Sequence, residues 1–359
     1  MNITKPVLIA GGYGVVGQQI VKMLNHNYPN LPILLGGRNQ QKGSEIARKF
    51  TNARGVFLDV NVNYPLAQLN VSGVVGAVND PDNNLLLSAV SQAIPYVDIT
   101  SWTARLKSAE RLLSNEPLKA PIIFSSSWMA GVSSLVASHL AKKLHQVDAI
   151  DIDILYALKD KAGPNSVEYM ERLSTPFTVF RNGRHLSMRP FTGSRKVKFP
   201  SGYNASTYMF DTPDLYTLPQ SLGAQSVSTR MAFDDNFSTM FLAALSRFKI
   251  WNMISGKRFT KLRHALLFNP GEGANHQIVV EVEGKDSLQQ NKKLRATIND
   301  PGGQTHLTAI GALIQIERIL GLTGNPIPEN TIHYPETTID LNRAIKVLRN
   351  NGVEIDITA

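Results

Sequence analysis

The sequence contains no cysteine in 359 residues. Without a thiol, the chain cannot form a disulfide, a thiolate zinc site or an iron–sulfur cluster, and it has no cysteine nucleophile. This absence excludes reductases that form a thioester with their substrate. It also fits a reducing compartment, so we expect a cytoplasmic protein.

Long hydrophobic runs are also absent. A membrane-spanning helix needs about 20 consecutive apolar residues, and the most apolar candidate, 240–254, contains Arg247 and Lys249. Near the N-terminus, the apolar run at 7–10 is short and leads directly into glycines, which is typical of a strand and not of a secretory signal. We therefore expect no transmembrane segment.

Positive charge is in excess but unevenly distributed. The net charge is +9, from 37 basic and 28 acidic residues. Residues 172–210 contain seven basic residues and 247–264 contain six, with no acidic residue in either segment, so the rest of the chain is net negative. This favours a local anionic ligand or contact surface. Phenylalanines interleaved in the first segment are typical of a buried strand face, and we expect no nucleic-acid partner.

Short apolar runs alternate with helical patterns along residues 6–125. The predicted strands are 7–10, 33–35, 56–58, 74–78, 96–99 and 122–124. The helical patterns between them are 15–24, 43–50, 84–93 and 105–113. This alternation predicts an α/β fold with a doubly wound, parallel Rossmann sheet.

The pattern changes after a predicted helix at 132–144. Strands that alternate apolar and polar residues are predicted at 148–155, 177–180, 196–199, 226–233, 276–283 and 292–298. Further helices are predicted at 237–254, 305–320 and 339–350. Alternating strands without regular crossover helices predict an α+β part with a largely antiparallel sheet.

A glycine-rich turn connects the first predicted strand and helix. In a GxGxxG loop the first glycine makes the turn, the second lets a pyrophosphate approach the backbone, and the third lets the helix pack on the strand. The helix N-terminus adds N–H donors and a positive dipole. The loop predicts a dinucleotide site, with an ordinary glycine turn as the alternative. Its residues are Gly11, Gly12, Tyr13, Gly14, Val15, Val16 and Gly17.

The second predicted strand ends without a carboxylate. NAD-specific sites carry an acidic residue about 20 residues after the glycines, but this strand ends in Gly36-Gly37-Arg38-Asn39. Arg38 is a planar cation that can pair with an added phosphate. We therefore expect NADP(H), held in part by Gly37, Arg38 and Asn39, with a solvated arginine as the alternative. Asp59, after the third strand, is a further candidate for the adenine, or it caps a turn.

Familiar catalytic groups are missing. No tyrosine is followed four residues later by lysine, so the pair used by short-chain dehydrogenases is absent. The histidines lack the close spacing of zinc ligands, and we predict no metal site. In doubly wound sheets the reacting groups gather where strands end. The candidates beside a nicotinamide are Asn79 (also a cofactor candidate), Asp80, Asp98, Thr100, Ser101 and Trp128. Helix capping and core packing are the alternatives for each.

The sequence resembles the saccharopine dehydrogenase-like family of NADP-binding oxidoreductases. The matching segments are 10–17, the Gly37-Arg38 strand end, Ile94-Pro95-Tyr96-Val97-Asp98-Ile99-Thr100, 131–135, Tyr334-Pro335-Glu336 and Asn351-Gly352-Val353. The resemblance implies NADP(H) and a Rossmann domain at 1–130, to which 304–359 return. It also implies an α+β substrate or dimerisation domain at 131–303.

The same resemblance implies hydride transfer at a C–N bond of an amino-acid-derived or opine-like substrate. Such a small anionic substrate calls for basic side chains in the second domain. The candidates to hold its carboxylates are Arg189, Arg195 and Arg230, with surface charge as the alternative.

Two other functions remain open at this point. Met129-Ala130-Gly131 departs from the Pro-Gly that the family often has, which motivates a non-catalytic NADP(H)-binding regulator. The 237–264 segment motivates a peripheral membrane or lipid-associated protein. Packing inside the molecule or a homodimer contact are the alternatives for this segment.

Overall fold

The chain forms two compact units. The structure is a computed structural model that describes residues 4–115, 117–161, 172, 175–247 and 271–358. The first unit comprises Met1–Gly131 and Thr308–Thr338, and the second comprises Val132–Leu307 and Ile339–Ala359.

The first unit contains a seven-stranded parallel sheet. Its strands are β1 (Val7–Ala10), β2 (Ile33–Gly37), β3 (Ala53–Phe57), β4 (Gly73–Gly76), β5 (Tyr96–Asp98), β6 (Ile122–Phe124) and, late in the chain, β15 (Ile332–His333). Their order is β15-β6-β5-β4-β1-β2-β3. All four residues of β1 are buried, as expected for a strand covered on both faces.

Four helices connect strands of this sheet, namely α1 (Val15–Asn27), α2 (Gln40–Ala47), α3 (Asn84–Ser91) and α4 (Thr103–Leu113). A fifth helix, α5 (Trp128–Ala141), follows β6 and leads into the second unit. Apolar residues at helical spacing form the buried stripe of α1, namely Ile20, Val21 and Leu24. The α2 helix begins at Asn39, whose side chain accepts a hydrogen bond from the Lys42 N–H and caps the helix. The predicted Rossmann sheet is confirmed.

The second unit contains a nine-stranded, largely antiparallel sheet. Its strands are β7 (Gln146–Tyr156), β8 (Phe177–Arg181), β9 (Arg184–Met188), β10 (Arg195–Lys198), β11 (Asn204–Met209), β12 (Ser226–Phe233), β13 (His276–Lys285), β14 (Asn291–Asp300) and β16 (Glu354–Thr358). The order is β10-β11-β12-β7-β13-β14-β16, with β8 and β9 attached through β12. The β7–β12 pair is parallel, and the other described pairs are antiparallel. The predicted α+β class is confirmed.

The return of the chain to the first unit is shorter than predicted. Helix α8 (Gln304–Ile319) starts in the second unit, and Thr308–Thr338 belongs to the first, where β15 pairs with β6. The remaining residues, which form α9 (Leu341–Asn350) and β16, belong to the second unit. The prediction that all of 304–359 returns is therefore wrong. The apolar positions of β16 alternate with exposed ones, which suits an edge strand paired with β14.

The predicted segment 237–264 is described only as far as Arg247, as part of α7 (Asn236–Arg247). The buried face of α7 contains Thr239, Leu242 and Leu245. Its exposed face carries Phe237, Met240 and Phe241, with 77%, 64% and 45% of each residue exposed. No helix in the described ranges is long and apolar enough to cross a membrane. One face of α7 thus packs internally, and residues 248–264 lie outside the described residues.

Candidate functional site

The candidate site lies at the carboxyl edge of the parallel sheet. In parallel strands all carboxyl ends lie at the same edge, and the loops after β1 to β6 therefore meet there. Every cofactor and nicotinamide-side candidate, from Gly11 to Trp128, lies in one of these loops, at the last residue of the strand before it or in the first turn of the helix after it. The structure therefore brings these candidates to one edge of one unit. The three arginine candidates lie in the other unit.

The glycines of the first loop are required by close backbone contacts. A Cβ at Gly12 would lie 2.8 Å from the Leu35 Cα, and one at Gly17 would lie 2.2 Å from the Gly11 carbonyl oxygen. Gly14 differs, because it is exposed and its Cβ would meet only the Gly11 oxygen, at 3.1 Å. Gly14 is also the N-cap of α1 and provides no side-chain cap. The loop is thus packed tightly on the sheet and open on its outer side, as a phosphate cradle requires.

The end of β2 presents a cation and no carboxylate. Arg38 is exposed, and its guanidinium forms no ion pair with another described residue. The Asn39 N–H donates to the Tyr13 hydroxyl at 3.0 Å, and the Asn39 Oδ1 accepts from the Lys42 N–H at 2.9 Å. The cofactor candidates of the first two loops are thus hydrogen-bonded to one another.

Asp59 and Asp80 serve as caps in this structure. The Asp59 Oδ1 accepts hydrogen bonds from the Asn61 N–H and side-chain amide. The Asp80 carboxylate accepts from the N–H groups of Asn84 and Leu85 at 2.9 Å each, at the start of α3. Burial raises the pKa of Asp80, and these N–H donors and Arg105 oppose the rise. The capping alternative therefore accounts for both carboxylates.

Asp98, Thr100 and Ser101 form one buried hydrogen-bonded cluster. The Asp98 Oδ1 accepts from the Thr100 N–H at 2.7 Å and from the Thr100 hydroxyl at 2.9 Å, and Oδ2 accepts from the Ser101 hydroxyl. The Asp98 carbonyl oxygen accepts from the Ser125 N–H at 2.7 Å. The cluster therefore joins the ends of β5 and β6. Nowhere in the described residues are three or more His, Asp or Glu side chains placed to hold a metal ion.

Arg105 is a site residue that the sequence analysis missed. It lies in the first turn of α4, is 8% exposed, and donates to the Asn79 side chain and, at 2.6 Å, to the Asp80 carbonyl oxygen. Its guanidinium carbon lies 4.9 Å from the centroid of the Trp102 ring. The Arg105 Nε has no hydrogen-bond partner among the described residues. The signal was an arginine in the buried stripe of α4, four residues before Ala109.

A buried tyrosine lies near these charges. Tyr96, in β5, is 2% exposed, and a Cβ at Gly76 would lie 2.5 Å from its hydroxyl oxygen. Burial raises the pKa of Tyr96 well above its ordinary value, and the charges of Asp98 and Asp80 raise it further. Tyr96 is therefore held protonated, as a neutral hydrogen-bonding group.

The loop between β6 and the regular turns of α5, at the kinked start of that helix, has a strained backbone. Met129, Ala130 and Gly131 follow the buried Trp128 with φ angles of 55°, 50° and 89°, all in the left-handed region. The Ser125 hydroxyl donates to the Ala130 carbonyl oxygen at 2.8 Å. Non-glycine residues in this region cost about 1–3 kcal/mol each and persist where the surroundings fix them, often at functional sites. The unusual sequence of this loop thus coincides with unusual geometry.

The arginine candidates of the second unit differ in their surroundings. Arg195 pairs with Glu281, with Asp151 at 3.0 Å and with Asp153 at 3.5 Å. The Arg230 Nη1 lies 2.5 Å from the Asp151 Oδ1, whereas Arg189 is exposed. Burial raises the pKa of Asp153, and Arg195 opposes this rise. Carboxylates of the sheet itself thus neutralise Arg195 and Arg230, and Arg189 is the accessible cation of the three.

The fold is similar to that of saccharopine dehydrogenase. Comparisons of the chain with protein-family models and with curated protein sequences found no match. Apo saccharopine dehydrogenase (L-Glu forming) from Saccharomyces cerevisiae superposes with a TM-score of 0.72 at 13% identity, covering 99% of this chain and 100% of that one. An amine dehydrogenase from Mycobacterium smegmatis gives 0.47 at 12% identity, covering 88% and 92%. The first of these likenesses establishes the two-domain dehydrogenase fold.

Proposed function

We propose that the protein is an NADP(H)-dependent oxidoreductase that transfers hydride at a C–N bond of a small amino-acid-derived or opine-like substrate. The observation that carries the proposal is the glycine loop at the carboxyl edge of a saccharopine dehydrogenase-like fold. Gly12 and Gly17 are packed against backbone, whereas Gly14 is exposed. This combination suits a loop that receives a pyrophosphate.

The residues present fit a dinucleotide with an added phosphate. The open backbone at Gly14 and the N-terminus of α1 would hold the pyrophosphate. Arg38 would hold the phosphate on the adenosine ribose, because a guanidinium forms two parallel hydrogen bonds to phosphate oxygens. The end of β2 carries no carboxylate to repel that phosphate.

At the other end of the edge, the nicotinamide supplies or accepts a hydride when it is bound. The chain's contribution is to orient the substrate and to keep the site rigid. The Asp98 cluster joins β5 to β6, and Arg105 fixes Asn79. A protonated imine already carries positive charge, so the reaction makes little demand on a strong acid in the protein.

Two measurements test the proposal. Titration of the protein with NADPH and with NADH, followed by fluorescence, is expected to give tighter binding of NADPH. Incubation with NADPH, a 2-oxo acid or aldehyde and an amine is then expected to consume NADPH. Tighter binding of NADH would contradict the role of Arg38. Binding without consumption across a broad panel would favour a non-catalytic regulator, which the capping role of Asp80 and the internal hydrogen bonds of Asp98 would suit.

We further propose that the protein is a cytoplasmic homodimer. The exposed face of α7 supports the homodimer, because Phe237 and Phe241 stack with ring centroids 6.3 Å apart on the surface. Contiguous exposed apolar side chains often mark an interface. Sedimentation equilibrium is expected to show a dimer that Phe237→Ser weakens. A monomer that instead sediments with liposomes would favour the lipid-associated alternative.

A further inference from the structure

The side chain of Tyr13 lies between the glycine loop and the end of β2. A Cβ at Gly37 would lie 2.3 Å from the Tyr13 Cε1 and 2.6 Å from its hydroxyl oxygen. A Cβ at Gly43, in α2, would lie 3.5 Å from the Tyr13 Cδ1. The ring therefore packs directly on the backbone of Gly37, where only glycine leaves room for it.

The Tyr13 hydroxyl is oriented by the backbone. Its oxygen accepts the Asn39 N–H at 3.0 Å, and the Tyr13 carbonyl oxygen accepts from the Gln18 side chain at 2.9 Å. A phenol also carries one proton to donate. No described residue accepts that proton. The hydrogen bond that the hydroxyl accepts thus fixes its position, and its own proton is available for a second hydrogen bond.

Two basic residues flank Asn39, the residue whose N–H holds this hydroxyl. The Lys42 Nζ lies 5.7 Å from the centroid of the Tyr13 ring. Arg38 immediately precedes Asn39, whose N–H holds the Tyr13 oxygen, and it is exposed. A hydrogen-bond donor with basic residues at the adjoining strand end suits a doubly charged phosphate group better than an uncharged ribose hydroxyl.

We infer that Tyr13 determines the preference for the phosphorylated nucleotide, by donating its hydroxyl hydrogen bond to the phosphate on the adenosine ribose. This inference rests on the proposed function. Arg38 and Lys42 supply the charge, and Asn39 fixes the direction of the hydroxyl. A hydrogen bond to a charged acceptor is roughly twice as strong as one between neutral groups. Loss of the Tyr13 hydroxyl therefore weakens NADPH binding more than NADH binding.

The decisive variant is Tyr13→Phe, which keeps the ring on Gly37 and removes only the hydroxyl. The expected result is that NADPH binds about tenfold more weakly and NADH within about twofold of the wild type, measured by fluorescence titration. Competition of 2′,5′-ADP and of ADP with the bound nucleotide measures the effect of the phosphate alone, because neither competitor contains a nicotinamide. Tyr28→Phe is the matched control, because it also removes one bonded hydroxyl, at the far end of α1, and is expected to change neither affinity.

The other outcomes of this experiment would overturn either the inference or the proposed function. Unchanged NADPH binding in Tyr13→Phe, or an equal loss for NADPH and NADH, would overturn the inference, because Tyr13 would then only shape the loop. A wild type that binds neither nucleotide would overturn the proposed function itself. Should Tyr13→Phe unfold, Tyr13→Leu removes the hydroxyl together with the ring, and unchanged NADPH binding in that variant would likewise overturn the inference.

Discussion

Arg105 donates a hydrogen bond to the Asn79 side chain and so joins the first turn of α4 to the loop after β4. Its second bond, to the Asp80 carbonyl oxygen, is 2.6 Å long. Asp80 in turn caps α3. One buried guanidinium therefore positions two candidate residues and the start of a helix, and the charge is compensated by carbonyl oxygens and by the Trp102 ring.

Removal of this guanidinium is expected to be costly. Arg105→Met removes the guanidinium that donates to the Asn79 side-chain oxygen and to the Asp80 carbonyl oxygen, and it leaves both buried oxygens without this hydrogen bond. We expect the free energy of unfolding to fall by about 2–4 kcal/mol and NADPH to bind more weakly. Urea denaturation and nucleotide titration measure the two effects. Arg111→Met, on the exposed face of the same helix, is the control, and an equally small change in both variants would contradict the positioning role.

The buried His276 predicts a specific pH dependence. Complete burial lowers the pKa of His276 from its ordinary 6.5 to about 3. Below pH 6.5, His276 therefore binds a proton in the unfolded chain but stays neutral in the folded chain. Stability is full above that pH and falls as the pH drops from 6.5 toward 3, by at most about 1.4 kcal/mol per pH unit from this group.

The measurement for His276 is urea denaturation at pH 5 and pH 7. His276→Gln is expected to lose less stability between these pH values than the wild type does. The exposed His185→Gln is expected to retain the wild-type difference. Identical pH dependence in wild type and His276→Gln would contradict the lowered pKa of His276, because the contributions of all other groups are common to both proteins and cancel in the comparison.

Parts of the fold with a strong local signal were predictable. The apolar run of β1 and the alternation of β14 predicted the correct strands, because burial on two faces or on one face dictates these patterns. Helix α6 (Asp214–Leu222) was missed, since it has nine residues and contains Pro219. The two residues of β15 were missed because a strand that short leaves no period to detect.

Within the site, the sequence predicted the positions of the candidate residues better than their chemical roles. It placed Asp80 and Asp98 at strand ends, but their hydrogen-bond partners depend on how the loops fold. The contact of Tyr13 with Gly37 joins residues on two different strand ends. This contact depends on the alignment of two parallel strands. The pattern of a single sequence does not predict that alignment.

Two glycines of the loop are expected to affect different properties: Gly17 the stability of the protein, and Gly14 the binding of the nucleotide. A Cβ at Gly17 meets a backbone oxygen at 2.2 Å, so Gly17→Ala is expected to destabilise the protein by more than about 2 kcal/mol. Gly14 has φ −74° and an exposed outer side, so Gly14→Ala is expected to cost about 1 kcal/mol or less while weakening NADPH binding. Urea denaturation and titration of both variants measure this. Full nucleotide affinity in Gly14→Ala would contradict a phosphate at this loop.

Arg38 provides the most direct test of nucleotide preference. The side chain is exposed and forms no ion pair with other described residues, so Arg38→Ala is expected to leave the free energy of unfolding within about 0.5 kcal/mol. The same change removes a charged, two-point partner for a phosphate, and NADPH affinity is expected to fall roughly tenfold or more. NADH affinity is expected to stay constant, because the unphosphorylated ribose offers no charge to the guanidinium. Arg48→Ala, at the opposite end of α2, controls for the loss of one positive charge, since a long-range effect of net charge would lower NADPH binding in both variants alike.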